Sequence, residues 1–363
     1  MPKSTEYLLI GSTEAYSGKS ATILGLAHQF KEKGLDIGYG KPLGTCLSES
    51  QTDAMDEDVR FIAQILNLPE NRLCPTLLSL DEATIQQRIG GVNRTDYGPV
   101  LEQYLQVKTG DLVLLEGPGT LEEGGLFGLS LIQVAQTVNA SVLLVARFHS
   151  VLLVDALLSA KQRLGDRLIG VLINDIPVDQ LEGVNTTVRP FLEAQGIAIL
   201  GALPRNALLR SVSVSELANQ LKAEVLCCPD RLDLMVEKLT IGAMNVSSAL
   251  KYFRKGINMA VVTGGDRTDI QLAALETYTQ CLILTGHMPP TPMILSRAED
   301  LEIPILSVDL DTLTTVEIID RAFGQVRLHE APKVQCIRQM MAQHFDLERL
   351  MTQLGLEPAV TLQ

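Results

Sequence analysis

The ten residues Gly11-Ser-Thr-Glu-Ala-Tyr-Ser-Gly-Lys-Ser20 hold the densest chemistry in this sequence. They lie between an apolar run, Tyr7 to Ile10, and a stretch with helical spacing, Gly18 to Lys33. Phosphate binding suits such a segment. Glycines let backbone N–H groups converge on oxygens, and a helix N-terminus adds partial positive charge. Lys19 can reach terminal phosphates, and the Ser20 hydroxyl can hold Mg²⁺. The backbone of Gly11, Ser12, Thr13, Ser17 and Gly18 would line the cradle. A strict G-x4-G-K-[ST] motif needs glycine where Thr13 stands, and Gly11 comes two residues too early. The competing reading is a glycine-rich turn with a surface lysine. Strand, loop, Gly-Lys-Ser and helix occurring together favour the phosphate loop. Ser17 either donates to a phosphate or satisfies a loop carbonyl, and the sequence leaves both open.

Three further positions join this site. Lys41 follows a short apolar run in Gly40-Lys-Pro-Leu-Gly44. The C-terminal ends of neighbouring parallel strands share one crevice, so a second cation there suits a γ-phosphate or an anionic substrate. Glu116 closes Leu112-Val-Leu-Leu-Glu116. An acid after four apolar residues needs a partner, and Mg²⁺ bound directly or through water is such a partner. Asp53, Asp56 and Asp58 cluster before a helix. Acids favour helix N-termini for their own sake, but one of them, preferably Asp58, can complete the metal shell.

The elements that must position these residues alternate. Apolar strand runs end near Ile10, Tyr39, Leu115, Ala146, Ile173 and Leu203, with amphipathic helical stretches between them. That pattern predicts an α/β fold with a parallel sheet covered on both faces. The first domain is expected over 1–225. A smaller α/β domain is expected over 230–328, with strands at Ile257–Val262, Cys281–Leu284 and Ile305–Val308, and a helical tail over 329–363.

Composition sets the bounds. The 363 residues exceed one ordinary core and suit two domains. Net charge is −13, and no basic stripe with interleaved aromatics is present, which argues against nucleic-acid binding. No stretch reaches the roughly 18 apolar residues a membrane helix needs. Cys46, Cys74, Cys227, Cys228, Cys281 and Cys336 show no zinc spacing. They read as reduced, buried small hydrophobes of a cytoplasmic chain.

The strand–GSTEAYSGKS–helix, YGKPLG and LLEGPGT segments resemble dethiobiotin synthetase and the cobyrinate diamide synthetases. They resemble still more the dethiobiotin-synthetase-like P-loop domain at the N-terminus of long phosphate acetyltransferases, where the strict first glycine is likewise missing. Ile173-Asn-Asp-Ile-Pro177 is similar to the segment that sets an Asn against the adenine base, which makes Asn174 a base-reading candidate. Gly264-Gly-Asp-Arg-Thr-Asp269 resembles the DRTGG domain that follows in those enzymes, although Asp269-Ile270 replaces its last two glycines. That turn is either a second anion site or a glycine turn with a fixing ion pair.

The acetyltransferase catalytic domain is not matched, so acetyl transfer is not expected of this chain alone. The resemblance implies ATP and Mg²⁺ as ligands and a homo-oligomer. It also implies a second small ligand or a partner enzyme at the DRTGG-like domain. The preferred function is a nucleotide-binding regulator that hydrolyses ATP slowly, if at all. An ATP-dependent carboxylate ligase and a scaffold with a vestigial P-loop are the alternatives. The acidic loop Gly119-Thr-Leu-Glu-Glu-Gly-Gly125 differs from the substrate loop of dethiobiotin synthetase, which speaks against diaminopelargonate as substrate.

Overall fold

A computed structural model describes residues 6–44, 56–103, 110–324 and 330–356. The chain forms two compact units. One comprises 1–205 with 328–363, and the other 206–327.

The first unit is built on seven parallel strands: β1 (Glu6–Ser12), β2 (Ile37–Gly40), β3 (Leu73–Cys74), β4 (Leu112–Glu116), β5 (Ser141–Arg147), β6 (Leu168–Ile176) and β7 (Ile199–Pro204). Their spatial order is β3-β2-β4-β1-β5-β6-β7. Leu8, Leu9, Ile10, Leu112 to Leu115 and Val142 to Val145 are all fully buried. Runs without alternation are what a sheet covered on both faces requires. The strand order reverses beside β1, so the crevice at its C-terminal end is where a ligand is expected in such sheets. Register brings the ends into line there: Ile10 pairs with Glu116, and Gly40 with Leu115.

The covering helices include α1 (Lys19–Glu32), α2 (Glu57–Leu66), α3 (Glu82–Ile89), α4 (Leu131–Thr137) and α5 (Leu153–Leu164). Helix α1 buries Ile23, Leu24, Leu26, Ala27 and Phe30, as its spacing predicts. Asp56 caps α2 by accepting from the Asp58 N–H at 3.0 Å.

The second unit contains α6 (Val214–Leu221), β8 (Glu224–Cys227), β9 (Lys238–Ile241), α7 (Val246–Phe253), β10 (Met259–Gly264), α8 (Thr268–Leu275), β11 (Thr279–Thr285), α9 (Pro292–Asp300), β12 (Ile305–Val308) and α10 (Thr312–Gly324). Its sheet order is β8-β12-β11-β10-β9. Only β8 runs antiparallel to its neighbour. Strand alternation sends Val261, Leu282 and Leu284 into the core with Phe253 and Ile294. It sends Val262, Cys281 and Ile283 to the other face, with Leu217 and Leu221.

Two boundaries differ from the sequence expectation. The division falls after Arg205 rather than near 225, because β8 pairs with β12 and α6 covers the second sheet. The tail is not a separate element either. Helices α11 (Ala331–His344) and α12 (Leu347–Gln353) return to the first unit. A Cβ on Gly25 of α1 would lie 2.5 Å from Met341 Cγ, so α11 sits directly on that glycine. The Asp346 N–H donates to the Leu200 carbonyl at 2.7 Å, and Phe345 bridges Gly201 antiparallel, which covers the β7 edge.

Candidate functional site

Helix α1 starts on Gly18, whose φ of 105° lies in the left-handed region. Glycine tolerates that backbone, and space demands it too. A Cβ there would lie 2.5 Å from Asn174 Nδ2. Among the loop residues only Tyr16, with φ 55°, and Gly18 take positive φ. Thr13 does not, so the glycine missing from the strict motif is not needed by this backbone.

The predicted residues converge from distant parts of the chain. Ser20 Oγ donates to Glu116 Oε1 at 2.9 Å, across 96 positions. Lys19 Nζ donates to Ser12 Oγ at 3.1 Å, and Ser12 Oγ donates to the Gly119 carbonyl at 2.8 Å. Asn174 Nδ2 donates to the Ser17 carbonyl at 2.9 Å. Asn174 thus ties the P-loop to β6, a role that its resemblance to a base-reading residue does not imply. Ser17 Oγ is buried without a hydrogen-bond partner. Gly11 serves packing: a Cβ there would meet Leu131 Cδ2 at 2.4 Å.

Lys41 stands otherwise. Its Nζ donates to Asp56 Oδ1 at 3.0 Å and to Asp58 Oδ2 at 2.6 Å. The side chains of Lys41 and Asp56 are 5% and 1% exposed. Asp58 therefore pairs with Lys41 here, while Asp53 lies outside the described residues. The sequence reading passed over Tyr39, whose hydroxyl donates to Glu116 Oε2 at 2.9 Å. Tyr39 stands two residues before Lys41, and extended backbone over that spacing sets both on the same side, a signal the sequence carries.

A Mg²⁺-nucleotide fits these residues. Helix α1 has no side-chain cap and no acid in its first turn, so its N–H groups are open to an anion. Among the described residues no group of three or more His, Cys, Asp or Glu forms a metal site. An ion held by Ser20 and Glu116 would take its remaining ligands from phosphate oxygens and water, as Mg²⁺ does.

Comparison with known proteins gives the family. The AAA domain family matches residues 6–213, more than half of the chain. The chain belongs to that family. A DRTGG domain follows over residues 216–322. Two phosphate acetyltransferases are similar over nearly all of this chain. The Nitratidesulfovibrio vulgaris enzyme is 24% identical over 94% of this chain and 51% of its own length. The Synechocystis sp. enzyme is 24% identical over 96% of this chain and 52% of its own length. The chain thus spans about half the length of the relatives it matches. The structure of the CBS and DRTGG domains of the regulatory region of Clostridium perfringens pyrophosphatase, complexed with diadenosine tetraphosphate, is 24% identical. It covers 37% of this chain and 55% of that chain at a TM-score of 0.28.

Electrostatics divide Lys19 from Lys41. Burial pulls the Lys19 ammonium below its ordinary range, opposed by Glu116 and Glu123. Burial also acts on Lys41, but Glu116, Asp58 and Asp56 outweigh it and hold Lys41 above the usual lysine range. Burial raises the Glu116 carboxyl against the pull of Lys41 and Lys19. It raises the Tyr39 phenol well above its usual range, with Glu116 adding to the effect. Tyr39 therefore stays a donor to Glu116 at neutral pH. No helix among the described residues is long and apolar enough to cross a membrane.

Proposed function

We propose that this chain is an ATP-binding regulatory protein. Mg-ATP would bind at the AAA domain through Lys19, Ser20 and Glu116, and the DRTGG domain would couple nucleotide state to a second small ligand or a partner enzyme. The observation that carries the reading is the uncapped, acid-free N-terminus of α1 beside a buried lysine. Both features are unfavourable without an anion and become favourable with one. Asn174 would meet the adenine through the part of its amide that does not hold Ser17.

An ATP-dependent carboxylate ligase is the second reading, supported by the likeness to dethiobiotin synthetase. It needs a second cation for the transferred phosphoryl group or the acid substrate. Lys41 is engaged by Asp56 and Asp58, which favours the regulator over the ligase. Titration calorimetry of Mg-ATP and Mg-GTP against wild type and Lys19→Ala, with phosphate release followed in parallel, tests the proposal. Binding lost in the variant with slow release supports a regulator. Rapid turnover on addition of diaminopelargonate and CO₂ would establish the ligase instead. We also propose a cytoplasmic homodimer or larger assembly, which a light-scattering mass near 39.5 kDa would refute.

A further inference from the structure

The loop after β4 returns a carboxylate to the P-loop. Glu123 Oε2 accepts a hydrogen bond from the Gly119 N–H. That peptide lies against the phosphate loop. Its carbonyl accepts from Ser12 Oγ at 2.8 Å, and a Cβ on Gly119 would lie 3.4 Å from Ala15 Cβ and 2.7 Å from Glu123 Oε2. Lys19 donates to the same Ser12 hydroxyl at 3.1 Å. After Glu116, Glu123 is the carboxylate that most favours the Lys19 charge.

The position of Glu123 is fixed locally. Thr120 Oγ1 accepts from the Glu122 and Glu123 N–H groups at 3.3 and 3.1 Å. Glu122 pairs outward with Arg163 of α5. Gly124 then turns the chain with φ 84°. Glu123 therefore points inward while its neighbour is held outside.

A carboxylate and a phosphate compete for the same partners, a backbone N–H and an ammonium group. Two anions within a few ångströms repel strongly where water is excluded. Lys19 is the residue that reaches the terminal phosphates in such loops. We propose that the Glu123 carboxylate holds the place of the terminal phosphate in the nucleotide-free protein and so sets the discrimination between triphosphate and diphosphate. The inference rests on the nucleotide-binding reading above. A triphosphate must displace Glu123 and release the loop, whereas a diphosphate leaves it in place. The nucleotide's phosphate count is thereby converted into a loop conformation.

The test is calorimetric titration of Mg-ATP and Mg-ADP into the full chain as wild type, Glu123→Gln and Glu123→Asp. A hydrogen bond to a charged group supports an effect of about tenfold or more. Glu123→Gln is expected to tighten Mg-ATP by at least that factor and to change Mg-ADP by less than about threefold. Glu123→Asp keeps the charge but not the reach to Gly119, and should fall between. Should the Gln variant fail to melt cooperatively, the Asp variant carries the comparison. Equal effects on both nucleotides, no effect, or weaker Mg-ATP binding in Glu123→Gln would overturn the proposal with nucleotide binding intact. No binding to wild type or variants would overturn the nucleotide reading itself, and the role of Glu123 with it.

Discussion

Two turns in this molecule share one plan, a parallel strand followed by a glycine turn and a helix, yet they treat their charged groups differently. In the first, β1 leads through Gly18 into α1. The helix has no side-chain cap and no acid in its first turn, Ser17 Oγ is buried without a partner, and Lys19 is buried. In the second, β10 leads through Gly264-Gly265 into α8. Gln271 Nε2 donates to both glycine carbonyls at 3.0 Å. Arg267 donates to Asp269 Oδ1 at 3.0 Å and to the Met244 carbonyl at 3.0 Å. Asp269 places an acid in the first turn of the helix, where its charge complements the dipole. The second turn also lacks a side-chain cap and leaves Gln271 Oε1 buried without a partner, but its arginine is paired from within and its helix carries its own acid; the first offers an acid-free helix start beside a buried lysine. A sequence motif alone does not separate these cases, because both offer glycines at a strand end.

The contrast can be broken by substitution. The largest effect is expected at Lys41, which belongs to the closed part of the crevice. Lys41→Met takes the cation away from buried Asp56 and should destabilise the protein by about 3–5 kcal/mol in urea unfolding. The sign with pH follows. A lysine held above its ordinary range gives stability that is complete below about pH 10.4. That stability is lost as pH rises through the folded-state value. Wild-type stability should therefore fall in strong alkali, and the fall should be shallower in Lys41→Met. A variant as stable as wild type would show that the buried pair contributes nothing.

Next in size is Gln271→Leu in the second turn. Two carbonyls lose their donor, and a loss of about 1–3 kcal/mol is expected, with Mg-ATP affinity unchanged. A change in nucleotide affinity would contradict the division of labour between the two turns. Asn174→Ala removes the tie between β6 and the P-loop. It should lower stability by about 1 kcal/mol and also weaken Mg-ATP binding, since the loop loses its buttress. Unaltered binding would show that the loop needs no such support.

Much of this was legible in the sequence. Lys19 and Ser20 stood out because strand, loop and helix signals coincide around them. Glu116 stood out because an acid follows four apolar residues. The parallel sheet followed from uninterrupted apolar runs. Other features depend on distant partners that no local pattern displays. Gly25 reads as an ordinary helix glycine until Met341 is found against it. Asn174 reaches the loop across 157 positions. Strand β8, Glu224–Cys227, is short and fully buries only Cys227, and its antiparallel pairing with β12 decides which unit owns it. Asp58, the preferred metal ligand of its cluster, is paired with Lys41, a contact across 17 positions that the spacing does not display.

The most direct test of an open phosphate loop is thermal unfolding of wild type and Lys19→Met, each with and without saturating Mg-ATP. Burial disfavours the Lys19 charge in the folded state, so its removal should raise the nucleotide-free midpoint, by roughly 1–3 °C for a gain of about 0.5–1 kcal/mol. Glu116 keeps Ser20, Tyr39 and Lys41 nearby. Mg-ATP should stabilise wild type and leave Lys19→Met unmoved, because only a bound ligand shifts the midpoint. A variant less stable than wild type without nucleotide, or one stabilised by Mg-ATP to the same degree, would contradict the account.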